Sequence, residues 1–298
     1  MKGLVARAGV FIRDTVSEFL AESPFQLAAA LSFYTLLSLS PLVLVVVAGA
    51  GLVWGQDAVR KQVVTQIEEV VGPYGADTVE LVLRHAEDPR GGRISVIVGV
   101  LTLLLGATTV FAQLQTSLNR IWNVKAVPDR HVLWGLIRTR LLSLALVLTV
   151  GFVLLVSLVL SAALAALHDY LAHLMPWGGT FWKQVNRVVS LGVITVLIAA
   201  IYRVLPDVHI PWRYVWAGAA FTSVLFALGK VLIGVYLGHA SIGSSYGAAG
   251  SLVVFLVWVY YSALILFLGA EITQVYARQR GARFVPLAHA RVAEGGGR

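Results

Sequence analysis

Two ionisable side chains stand in runs that are otherwise free of charge: Glu271 in Leu268-Gly269-Ala270-Glu271, and Lys230 in Leu228-Gly229-Lys230-Val231. A charge at mid-bilayer costs about 2.5–3.5 kcal/mol on insertion scales, so a residue of this kind reads as part of a lined cavity or a coupling site. Each also has a plainer reading. Lys230 can snorkel to the outer headgroups, and Glu271 can bond a neighbouring helix end or an inner arginine such as Arg203 or Arg213. Helix rise sets the two at different depths, which argues against a direct pair. Tyr34 and Ser38 add polarity to an earlier apolar stretch, and Pro41 removes a backbone donor there and is expected to kink it. Asn119 stands at the polar end of another such stretch. These six residues are the expected lining of one cavity.

Other candidate chemistry fails on context. Gly243-Ser244-Ser245-Tyr246-Gly247 matches the G-x-S-x-G nucleophile pattern, but that pattern works on a strand–turn–helix, and an apolar helix precedes it here. An intramembrane serine hydrolase at Ser245 would have only His239 as a loose candidate base. His168 and His173 are five residues apart, a poor spacing for one helical face, and Asp169 is adjacent to His168 and so points elsewhere. With no cysteine in the chain, disulfides, thiolate metal sites and cysteine nucleophiles are excluded. There is no P-loop, EF-hand or H-E-x-x-H. The expectation is therefore no enzyme, no cofactor and no metal.

The elements that position these residues are apolar and long. Hydrophobic residues make up 58% of the chain and charged residues 13%, against roughly 45–50% and 25% in soluble domains. About 20 apolar residues cross a bilayer core as a helix. Such stretches run from about residues 27–54, 94–118, 140–167, 185–205, 211–237 and 251–276. The predicted fold is all-α, a polytopic membrane bundle of six transmembrane helices within residues 1–280. Residues 55–93 are the longest hydrophilic insert. Val63, Ile67, Val70 and Val71, then Val79, Val82 and Leu83, follow helical spacing around a Gly72-Pro73 turn, which predicts an extracytoplasmic helical hairpin. Residues 1–22 place Leu4, Ala8, Phe11, Ile12, Thr15 and Phe19 on one helical face, with Arg7, Asp14 and Glu18 on the other. That predicts an amphipathic helix at the membrane interface or packed on the bundle. The basic tail 281–298 is expected to be disordered. Gly218, Gly229, Gly234, Gly238, Gly247, Gly250 and Gly269 fit close helix packing better than gating.

Lysine and arginine set the orientation. Fifteen fall in residues 1–26, 119–140, 203–213 and 277–298, whereas seven fall in 55–93 and 183–187. With an even number of spans, this bias puts both termini in the cytoplasm. The net charge of +8 lies mainly beside spans, where it meets anionic lipid, and this argues against nucleic acid as a partner. Membrane lipids are the expected partners, with envelope proteins or further copies of the chain as other candidates.

The sequence Ala28-Ala29-Ala30-Leu31-Ser32-Phe33-Tyr34-Thr35-Leu36-Leu37-Ser38-Leu39-Ser40-Pro41 is distinctive. So are Leu118-Asn119-Arg120-Ile121-Trp122-Asn123-Val124, Tyr202-Arg203-Val204-Leu205-Pro206 and Tyr246-Gly247-Ala248-Ala249-Gly250-Ser251, followed by Trp258-Val259-Tyr260-Tyr261-Ser262 and Gly269-Ala270-Glu271. Together, over roughly residues 5–280, the chain resembles the YihY/BrkB family of bacterial inner-membrane proteins. The resemblance implies six membrane helices and a cytoplasmic-membrane location. Members once carried the name ribonuclease BN, a mistaken assignment, and nothing here looks like a nuclease site. Other members carry a virulence-factor label tied to serum resistance, and export or lipid handling has been suggested for the family. The resulting expectation is a transporter-like protein handling a lipid or other amphipathic molecule. The alternatives are a scaffold that organises the envelope and, more remotely, a serine hydrolase.

Overall fold

The computed structural model describes residues 2–71, 76–80, 83, 109–127, 179–239, 250–282, 284–287 and 290–293. These are mostly helical. In chain order they form α1 (Lys2–Ala21), α2 (Pro24–Trp54), α3 (Gln56–Val71), helical residues 76–80 and 109–121, β1 (Val124–Ala126), α4 (Gly179–Val204), β2 (Val208–His209), α5 (Trp212–His239), α6 (Gly250–Gln279), β3 (Val285–Pro286) and β4 (Ala290–Val292). Residues 212–232 and 252–279 are long and apolar enough to cross a bilayer, and 24–39 and 188–204 form shorter apolar helices. The expected span 140–167, most of 94–118 and the Ser245 loop lie outside the described residues.

The helix ends follow from local chemistry. Pro24 opens α2, where its missing N–H costs nothing, and the Ser23 carbonyl accepts from the Gln26 and Leu27 amides. Gly55, at φ +83, is the left-handed residue between α2 and α3. At the end of α6, Ala282 N–H donates to Ala277 O at 3.0 Å and Gly281 N–H to Arg278 O at 2.9 Å. With Gly281 at φ +76 this is a Schellman cap.

The chain divides into two compact units. One holds residues 23–117 and 228–265. In it Val79 and Leu83 of the hydrophilic insert are buried with Leu39, Phe255 and Val259, and Val63 and Val64 of α3 pack on them. Residues 56–71 of the insert form α3; the turn 72–75 and residues 84–93 of the expected hairpin lie outside the described residues. The hydroxyls of α2 turn back on their own helix: Ser32 donates to Ala29 O, Thr35 to Leu31 O and Ser38 to Thr35 O.

The other unit holds residues 1–22, 118–227 and 266–298, and here two expectations need correcting. The tail is ordered over 284–287 and 290–293, where disorder was expected. Its β4 pairs antiparallel with β1 (Val124↔Val292), and its β3 pairs with β2 (Val208↔Pro286). Phe284 packs edge-on against Trp122 at 4.9 Å, and the Leu287 and Ala293 amides donate to Asp207 O and Asn123 O. Backbone pairing needs no hydrophobic period, so composition alone hid it. The faces of α1 also differ from the reading above. Thr15 is buried and Asp14 and Glu18 are partly so, whereas Ile12 and Val16 are exposed, along with Leu20. The acidic side turns inward because arginines of this unit meet it there.

Candidate functional site

The polar centre of this second unit is built from α4, α5 and α6. Gly218 and Thr222 are one turn apart on α5, and Gly269 and Thr273 are one turn apart on α6. A methyl group at Gly218 would overlap Thr273, and one at Gly269 would overlap Thr222 and the Tyr202 hydroxyl. Each glycine thus receives the threonine of the other helix. Each threonine hydroxyl donates back to the glycine carbonyl one turn earlier, Thr222 to Gly218 O at 2.7 Å and Thr273 to Gly269 O at 2.6 Å. Tyr202 of α4 is fully buried. Its hydroxyl donates to Leu266 O at 2.6 Å and lies 3.1 Å from Thr222 Oγ1. Without water, a polar group in a membrane needs such internal partners. For Gly218 and Gly269, close packing is the role the geometry displays.

Glu271 stands beside this lock, 1% exposed, with Oε2 lacking a hydrogen-bond partner among the described residues. Gln274, one turn on, is 4% exposed and its Oε1 is likewise unpartnered. Within electrostatic reach of Glu271 are Glu18, Glu22 and Arg278. All three are already engaged: Arg278 donates to Glu18 at 2.5 Å, and Arg120 donates to Glu22 at 2.7 Å. The inner arginines named as candidate partners of Glu271 are occupied elsewhere. Arg203 donates to Ile210 O and lies over the Trp212 ring, and Arg213 lies over Tyr214 at 4.6 Å.

The other expected lining residues are placed differently. Asn119 is a clasp: its Nδ2 donates to Asp207 Oδ2, and its Oδ1 accepts from the Asp207 backbone amide, both at 2.7 Å. Both residues are buried, so the pair fastens the 109–121 helix to the turn after α4. Lys230 is exposed between Leu228, Val231 and Leu232, which are exposed as well, as snorkelling requires. Tyr34 is half-buried and Ser38 buried. Pro41 lies within the uninterrupted α2. Glu271 and Asn119 belong to one compact unit, and Tyr34, Ser38, Pro41 and Lys230 to the other. Sequence reading missed Tyr202, Thr222, Thr273, Gln274 and Asp207. The Gly-x-x-x-Thr spacing on α5 and α6, and the 271, 274, 278 periodicity of polar residues, were the signals available.

Two of the described helices are long and apolar enough to cross a bilayer, the kind of element that builds a helical membrane protein. The chain belongs to the virulence factor BrkB family, whose model matches residues 15–294. Relatives are named UPF0761 membrane protein. One from Pseudomonas aeruginosa is 29% identical over 87% of this chain and 61% of its own length. One from Neisseria meningitidis is 28% identical over 90% and 63%, and one from a Psychrobacter species 27% over 88% and 47%. The chain thus spans less than two thirds of the length of these relatives. No solved structure matches it.

Proposed function

We propose that this chain is a non-enzymatic, transporter-like protein of the bacterial inner membrane, with six spans and both termini cytoplasmic, handling a lipid or other amphipathic molecule. The observation that carries the reading is buried Glu271, whose Oε2 has no partner among the described residues, within a helix long and apolar enough to cross the membrane. Such a group is costly unless it is used.

The contacts within the tail-bearing unit support the topology. Glu22 meets Arg120, Asn119 meets Asp207, β1 meets β4, and Glu18 meets Arg278. Groups in direct contact cannot lie on opposite sides of a core about 30 Å thick. The chain therefore crosses an even number of times between each pair. The apolar stretches between them come in twos: residues 27–54 and 94–118, 140–167 and 185–205, 211–237 and 251–276. These segments also carry the excess of Lys and Arg, which favours the cytoplasmic face.

The test is reconstitution in liposomes with a fluorescent phospholipid analogue whose outer-leaflet population can be bleached chemically. The reading expects protein-dependent exchange between leaflets, impaired in Glu271→Gln. Intact, correctly inserted protein with no exchange favours the scaffold reading, for which the tight Gly218–Thr273 and Gly269–Thr222 packing is the supporting observation.

A further inference from the structure

Glu271 and Gln274 are three residues apart on α6 and so share a helical face. Both are more than nine-tenths buried, and Glu271 Oε2 and Gln274 Oε1 have no partner among the described residues. Both atoms are acceptors. Three hydroxyl donors of this unit are committed, whereas the Thr15 hydroxyl and Trp122 Nε1–H are buried without a partner among the described residues. Tyr202 of α4 donates to Leu266 O, Thr222 of α5 to Gly218 O, and Thr273 of α6 to Gly269 O. Arg278 is on Glu18 and Arg120 on Glu22. The charged groups acting on Glu271 are Glu18 of α1 and Glu22 just after it, each with its own arginine, and Arg278 from α6. Among the described residues Glu271 has no cation paired to it. An isolated carboxylate out of water is too costly to persist without one.

The number of oxygens decides which cation fits. Ca²⁺ takes about six to eight oxygen ligands, and Mg²⁺ demands an octahedron. Here two buried oxygens lack a partner, or three with Thr15 Oγ1 of α1. A proton needs only one carboxylate oxygen to hold it and one acceptor to receive its hydrogen bond.

We propose that Glu271 is an exchangeable proton site, with the Gln274 amide oxygen as its acceptor. The proton comes from water at the α1 edge, where the Glu18 and Glu22 side chains are 35% and 24% exposed. It adds to a Glu271 carboxylate oxygen without breaking another bond, and returns to water by the same edge. Its use in driving movement of a substrate rests on the transporter reading; the binding of the proton does not.

The experiment is infrared pH-difference spectroscopy of the full chain in lipid nanodiscs. The expected result is the C=O stretch of a protonated carboxyl that varies with pH, shifts in D₂O, is lost in Glu271→Gln, and moves in frequency in Gln274→Leu, where the acceptor is gone. A spectrum unchanged in Glu271→Gln overturns the site. If that variant fails to insert, the Gln274→Leu spectrum decides alone, and an unmoved band overturns the proposal. A Glu271 band found together with absent lipid exchange would leave the proton site standing and remove the transporter reading. Exchange without the band would do the reverse.

Discussion

Glu271 and Asn119 are both buried polar residues of one unit, yet they sit in opposite situations. Asn119 spends its amide on both a side-chain oxygen and a backbone amide of Asp207, whereas Glu271 has an oxygen with no partner among the described residues. A satisfied pair holds structure together; an unsatisfied acceptor is a candidate for exchange. Replacing Asn119 by Ala removes two buried hydrogen bonds and should cost about 1–3 kcal/mol, read as a lower unfolding midpoint in detergent. Replacing Glu271 by Gln should leave insertion and that midpoint nearly unchanged while impairing leaflet exchange; full exchange in the variant would remove Glu271 from the mechanism. Glu271 was legible in the sequence because a charge in an apolar run is conspicuous. The role of Asn119 was not, because its partner is 88 residues away and only the fold brings them together. Lys230 was equally conspicuous, but which way it faces depends on neighbours that sequence does not specify.

The elements show why small residues matter in lipid, where helices gain little from hydrophobic association and rely on close packing and internal hydrogen bonds. The reciprocal Gly–Thr contact of α5 and α6 makes a sharp prediction. Gly218→Ala drives a methyl group into Thr273 and should destabilise by about 1–3 kcal/mol, as overpacking does. Thr273→Ala, added to it, should recover part of that loss, a coupling of about 0.5–3 kcal/mol in a double-mutant cycle on the unfolding midpoint. Additive effects would mean that the helices are not in that register. The glycines announced close packing in the sequence, but their threonine partners became visible only through the pairing of the helices. The tail gives the same lesson in reverse, since basic composition argued for disorder while β3 and β4 pair through backbone groups. Deleting residues 284–298 should expose 119–127 to protease; unchanged proteolysis would show that the strands contribute nothing to holding that segment.

At the scale of the whole molecule the claim is topological. The hydropathy pattern made long apolar helices such as 212–232 and 252–279 legible, because the bilayer imposes length, and the charge bias is the argument for their proposed orientation. Direct contacts among residues 18–22, 119–126, 207–209 and 278–292 add a constraint that no hydropathy plot supplies: the proposed topology must keep these segments on one side of the membrane. The absence of cysteine from the chain makes the decisive measurement direct, since any introduced thiol is the sole one present. Single cysteines at Arg13, Lys61 and Arg291, all exposed, can be challenged in intact spheroplasts with a membrane-impermeant thiol reagent and again after permeabilisation. The account predicts that Lys61→Cys reacts in intact spheroplasts, and that Arg13→Cys and Arg291→Cys react only after permeabilisation. Reaction of Arg13→Cys and Arg291→Cys on opposite sides, or of all three in intact spheroplasts, would contradict it.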